Sequence, residues 1–122
     1  AAAGIAQRAL HDAFVAAASH LPHVGAFVTA AALVGDAADV IATHLPPGAT
    51  ATSLRDTTRI AASSPAVWRD IFLENRTHLL PLVAAMEDRL RELRQAIEAA
   101  DGPGLERLLA DARAVRKRLF PA

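Results

Sequence analysis

The chain contains no cysteine and no tyrosine, has one tryptophan and one methionine, and carries no excess of either charge: 13 basic side chains face 13 acidic ones across 122 residues. Without cysteine there is neither a disulfide nor a thiolate metal site, so secretion is neither required nor excluded. The balanced charge removes the electrostatic footprint of a general nucleic-acid binder, leaving open recognition of a small anion by one or two arginines. There is no G-x-G-x-x-G, and the Gly-Pro-Gly at 102–104 follows no strand-like segment and reads as a turn. No G-x-S-x-G, H-E-x-x-H or phosphate-binding loop is present. Six glycines and no sustained apolar/polar alternation leave no room for a nucleotide-binding sheet. A redox cofactor would therefore have to be held by another domain or chain.

Long apolar runs are also scarce. The nearest is Ala13 to Gly35, which has no Asp, Glu, Lys or Arg. It is interrupted by His20, Pro22 and His23, and alanine is only weakly apolar, whereas a membrane span needs about 20 strongly apolar residues. The expectation is a helix buried in protein, with no membrane partner. The opening AAAGIAQ lacks an initiator methionine, which suggests a fragment or processed product. No basic stretch precedes an apolar one as in a signal peptide, so the expected location is cytoplasmic.

What the chain does have is alanine, 30 residues of it, and twelve arginines against one lysine. Alanine is the strongest helix former, and with 52% hydrophobic and 21% charged residues the composition is that of one globular, helical domain. The Ala/Arg bias also suggests a GC-rich bacterial genome. A first helix is predicted over 5–20, with Pro22 kinking or interrupting it because proline lacks the amide donor. A second is predicted from Val24 to about Thr43. Its first twelve residues carry only Thr29 as a polar side chain, which places it in the middle of a bundle or at an oligomer interface. His44 to Ser53, with two prolines and a glycine, reads as a loop, and LRDTTRIAASS after it as a short helix. Ser64 and Pro65 form a helix start, serine as the cap and proline first in the helix. From there to about Ala100, Leu79, Val83, Met86, Leu90, Leu93 and Ile97 step by fours and threes, the seam of helices packed side by side. Pro81 is expected to kink this long helix. Asp101-Gly-Pro-Gly ends it, and a last helix to about Arg118 aligns Leu105, Leu108, Leu109, Ala112 and Val115, giving an antiparallel hairpin. The fold class is all-α, a helical bundle.

Three groups of polar residues exceed what a bundle requires. Ser19-His20-Leu21-Pro22-His23 places two imidazoles between apolar helices; they suit a substrate pocket, a metal pair, or hydrogen bonding to backbone freed by the proline. In Arg55-Asp56-Thr57-Thr58-Arg59 the two arginines share a face if helical. They form either a carboxylate-binding fork or a solvated helix start with an internal ion pair. Trp68, one turn into its helix, is either core or part of a ligand site.

Taken together, ALHDAFVAAASHLPHVGAFVTAAAL, RDTTRIAASSPAVWRDIFLENR, a long helix and a GPGLERLLADAR ending resemble the helical C-terminal domain of the prephenate dehydrogenase family. The likeness runs from about Leu10 to Arg118 and rests on HD…SHLPH and RDTTRIA…PxxWRDI…NR in this order. It implies a 6-phosphogluconate-dehydrogenase-like C-terminal bundle forming an intertwined homodimer. It also implies a small-molecule substrate, prephenate or arogenate, and NAD or NADP bound by an N-terminal Rossmann domain absent from this chain. That domain would also hold the catalytic histidine, so the isolated chain is expected to be inactive. The resemblance assigns a substrate carboxylate to Arg59 and ion pairs guarding the site to Arg55 and Asp56. It places His23 in the site's lining, Trp68 close by, and His20 within the same motif; no metal is expected. Ahead of RDTTR, the stretch ATATSL replaces the glycine-rich, aromatic lead-in of many members. Two readings compete, a free-standing helical interaction module and a sensor of an aromatic acid such as tyrosine.

Overall fold

A computed structural model describes residues 2–44 and 51–122, and every regular element among them is helical. The α-helices are α1 (Ala2–Val15), α2 (Leu21–Ala32), α3 (Asp36–His44), α4 (Thr52–Thr58), α5 (Pro65–Glu74), α6 (Arg76–Glu98) and α7 (Gly102–Leu119). A π-helical turn, Ala16–His20, joins α1 to α2, and a 3₁₀ turn, Arg59–Ala62, follows α4. The chain divides into two compact units, Ala1–Val83 and Ala84–Ala122.

In the first unit the expected interruption at Pro22 is absorbed rather than made. The Leu21 amide reaches back five residues to the Ala16 carbonyl, and this wider turn lets the helix run on through the proline. Pro22 then occupies the first turn of α2, where a missing N–H costs little. The second predicted helix is shorter than its pattern suggested, because it ends at Ala32 and resumes at Asp36. Gly35 sits between with φ +59°, a left-handed conformation that glycine adopts without steric cost, and Asp36 and Asp39 stand in the first turn of α3. The loop reading over His44 to Ser53 falls largely outside the described residues; its end, Thr52 and Ser53, is already helical. Ser64 caps α5 as expected, its hydroxyl accepting from the Val67 amide at 3.4 Å with Pro65 next.

The helix predicted from Pro65 to Ala100 is likewise two helices. It breaks at Asn75 (φ −109°, ψ 23°), and α6 starts anew with His78 and Leu79 amides bonded to the Asn75 carbonyl. The α2 helix packs on α4 and the 3₁₀ turn. It also meets α5 through Phe27 and Phe72, whose rings lie edge to face at 6.2 Å. The buried apolar side chains of this unit are Ala16, Ala26 and Leu79: two alanines allow helices to approach closely. The enclosed position expected for the apolar stretch after Val24 is not found within this chain, since Val28 and Val34 are exposed while only Ala26 is buried there.

The second unit is the end of α6, a tight reversal, and α7. Ala100 takes φ +51°, and the Asp101 and Ala100 amides bond back to the Ala96 and Ile97 carbonyls, closing the helix in a Schellman arrangement. Asp101 then caps α7 by accepting from the Gly104 amide at 3.0 Å. Residues at matching distances from this turn line common clefts, Arg89 and Leu93 with Leu109, Ala112 and Val115, as an antiparallel hairpin requires. The heptad seam is only partly buried: Leu93 is half-buried, but Leu90 and Ile97 are exposed, and Ala96 takes the buried place. Three exposed ion pairs, Arg89–Glu92, Arg91–Asp88 and Arg94–Glu98, lie along α6. Such pairs contribute about 0.3–0.5 kcal/mol each.

Candidate functional site

The polar groups singled out in the sequence fall within the first unit, where the two histidines and Trp68 form one aromatic cluster. His23 lies flat on Trp68, ring centroids 3.4 Å apart and planes 16° from parallel. His20 meets the same indole edge-on at 6.0 Å, and Phe72 also packs against it, inclined, at 5.6 Å. His20 ends the π turn and His23 lies in the first turn of α2, and both rings reach Trp68 on α5. Proline at 22 contributes no amide, and the His23 side chain takes up local backbone polarity through its Nδ1, 2.8 Å from the Ser19 carbonyl oxygen. Trp68 is thus half-buried packing for two histidines.

His20 has a different partner. Its Nδ1 lies 3.1 Å from the Asn75 Nδ2, and that same amide donates to the Asp12 carbonyl at 2.8 Å. Asn75 is the one buried polar residue among those described, 8% exposed. It ties the α5–α6 break to the end of α1, 63 residues away in sequence. Burial and the neighbouring His23 hold the His20 pKa below its usual value, with Asp12 acting weakly in the opposite sense. Asp12, Val15, His20, Ile71, Glu74 and Asn75 line an open cleft of about 270 Å³. Sequence reading gave Asn75 no role beyond its place in the motif. The available signal was an asparagine, a poor helix former, inside an otherwise strong helical pattern.

Arg55 and Asp56 lie on α4 and Arg59 opens the 3₁₀ turn, all three exposed. Thr58, whose hydroxyl donates to the Leu54 carbonyl at 2.6 Å, marks the change from α to 3₁₀ winding between the arginines. Because α2 packs on both elements, the arginine segment borders the helix that carries His23. Among the described residues none of Arg55, Asp56 and Arg59 forms an ion pair within the chain. No group of three or more His, Asp or Glu side chains is arranged to hold a metal ion among the described residues. By length and composition alone the helical run Gly4–Ala32 is apolar enough to cross a membrane, yet its His20 and His23 are engaged with α5 and Asn75. In sum, the first unit sets a half-buried imidazole–indole cluster beside exposed guanidinium groups, a combination suited to an anionic ring compound.

Residues 7–111 match the family described as prephenate dehydrogenase, dimerization domain. The chain is 42% identical over 94 residues to the cyclohexadienyl dehydrogenase of Zymomonas mobilis, covering 75% of this chain and 31% of that protein. It is 34% identical over 116 residues to the prephenate dehydrogenase of Bacillus subtilis, covering 89% and 29%. Among solved structures it is similar to the arogenate dehydrogenase of Synechocystis (TM-score 0.77, 24% identity, 90% of this chain and 39% of that one). It is also similar to the prephenate dehydrogenase of A. aeolicus in complex with hydroxyphenyl propionate and NAD+ (TM-score 0.62, 30% identity, 90% and 37%). The chain therefore spans about a third of the length of the relatives it matches.

Proposed function

The chain belongs to the prephenate dehydrogenase dimerisation-domain family, and from that premise we propose that it is the helical part of an NAD(P)-dependent dehydrogenase of tyrosine biosynthesis acting on prephenate or arogenate. Its own tasks in this reading are to form a homodimer and to bind a carboxylate of the substrate. The observation that carries it is the match over 7–111, coupled with the histidine–tryptophan cluster bordered by the RDTTR segment.

Within such an enzyme each residue has a physical task. Arg59, exposed and without an acidic partner among the described residues, offers two parallel N–H groups to a carboxylate. Arg55 and Asp56 stand one helical turn before it and would pair with groups outside this chain. His23 is held flat against Trp68, and His20, edge-on to the same indole, lines the cleft with Asp12 and Asn75. The dinucleotide, which accepts hydride in such a reaction, would sit in the other domain, because no strand or glycine-rich loop is present among the described residues. Loss of carbon dioxide and hydride needs both domains, so this chain alone is expected to bind but not turn over substrate. A cytoplasmic location goes with this reading.

Calorimetric titration of the chain with prephenate, arogenate, hydroxyphenyl propionate and tyrosine tests the assignment. Binding of a ring carboxylate that drops at least tenfold in Arg59→Ala supports it; affinity unchanged by that substitution refutes the role of Arg59. Binding of tyrosine alone would favour a sensor, and binding of nothing a helical interaction module. The intact mass of the native protein provides a second test. A species larger by on the order of 100–200 residues, one nucleotide-binding domain, is expected; a native mass near 12.8 kDa would overturn the dehydrogenase reading.

A further inference from the structure

The hydrogen bonds around the two histidines determine which nitrogen of each ring carries its proton. A backbone carbonyl only accepts. The Asn75 side-chain atom 2.8 Å from the Asp12 carbonyl oxygen must therefore be the amide nitrogen, and the amide cannot be turned over without setting two oxygens against each other. The second hydrogen of that nitrogen is then available to His20 Nδ1, 3.1 Å away, which must present a lone pair. The same logic applied to His23 gives the opposite result. Its Nδ1 lies 2.8 Å from the Ser19 carbonyl oxygen and must carry the hydrogen.

We propose that Asn75 is a positioning residue that fixes neutral His20 with its proton on Nε2, while the Ser19 carbonyl fixes neutral His23 with its proton on Nδ1. The two imidazoles packed on Trp68 thus leave unlike atoms for a ligand, an Nε2–H donor on His20 and an Nε2 acceptor on His23. The ligand class that fits has an oxygen acceptor for His20 and a hydrogen-bond donor, such as a hydroxyl, for His23. That consequence for the substrate rests on the functional reading above; the proton positions do not.

Protonation of His20 would point Nδ1–H at the Asn75 amide, donor against donor, so Asn75 resists the charged form. The titratable groups around His20 are Asp12 on α1, His23 on α2 and Glu74 on α5, which lines the same cleft. Burial, first, and His23 hold the His20 pKa below its usual value, and the Asp12 carboxylate acts against them.

Imidazole nitrogen NMR on the uniformly labelled chain, with His20→Gln and His23→Gln to assign the signals, tests this. The expected result is the Nε2–H form for His20 and the Nδ1–H form for His23 at pH 8. An Nδ1–H form, or an even mixture, at His20 would overturn the proposal. In Asn75→Asp the new carboxylate accepts from Nδ1–H, so the His20 midpoint should rise by about one pH unit or more. A midpoint that stays in place while the protein is folded would also overturn it. If Asn75→Asp unfolds, the wild-type proton positions decide alone. Loss of substrate binding would count against the dehydrogenase reading without altering these signals.

Discussion

His20 shows how one residue couples chemistry to stability. Its folded pKa lies below the ordinary histidine value of about 6.5, chiefly because of burial. A depressed histidine leaves the fold at full stability above about pH 6.5, where both states are neutral. As pH falls below that value the unfolded chain takes up a proton that the folded chain resists, so stability declines until the folded pKa is reached. Urea denaturation at steps between pH 8 and 5 should show this decline. His20→Gln, which keeps an acceptor for the Asn75 amide, should flatten it; an unchanged slope would assign the effect to another group. A second residue makes a contrast that owes nothing to the site. Ala100 pays the left-handed penalty at the end of α6 (φ +51°), where glycine is the usual occupant. Ala100→Gly should stabilise the chain by about 0.5–1 kcal/mol in thermal denaturation, even though glycine costs more entropy on folding.

At the scale of elements, the helix boundaries separate what local chemistry dictates from what packing dictates. The start of α5 was readable, because the Ser64 side chain satisfies an orphan amide, whereas the Gly-Pro-Gly read as a turn is the first turn of α7, capped by Asp101. Asp101→Ala should accordingly cost about 1 kcal/mol, measurable as a lower denaturation midpoint. Gly35 was legible in principle as a helix end, but the alanine-rich run on both sides masked it. Since its φ of +59° favours glycine over any residue with a Cβ, Gly35→Ala should destabilise by about 1 kcal/mol, whereas Gly4→Ala, in an ordinary helical setting with open space, should not. The break at Asn75 was signalled only by a poor helix former, too weak a cue to end the helix by itself. Residues 65–100 are strong helix formers on either side of it, and the gain that offsets the broken helix is a hydrogen bond to Asp12, 63 positions earlier. The same holds for the π turn. Pro22 announces a disturbance, but the register in which it is accommodated depends on bringing both His20 and His23 to Trp68.

At the scale of the molecule, each unit leaves large apolar side chains uncovered. Ile5, Leu10 and Phe14 are 71%, 72% and 66% exposed in the first, and Leu90, Ile97 and Leu119 are 59–62% exposed in the second. Burying such a side chain is worth about 2 kcal/mol, so covering three by a second copy would give about 6 kcal/mol, comparable with the whole stability of a marginal domain. If the chain dimerises as proposed, its denaturation midpoint should rise with protein concentration and sedimentation should show twice the chain mass. A concentration-independent midpoint with a monomeric mass would sink the dimer. The sequence by itself determined that the chain is helical, where its capped helices start, and which ordered motifs tie it to its family, since helix propensity, capping and apolar period are local properties. The tertiary structure alone decided that Asn75 and a π turn hold two histidines against one tryptophan and which nitrogen of each bears the proton. Those outcomes depend on hydrogen bonds and ring contacts between residues distant in the chain, which no local pattern encodes.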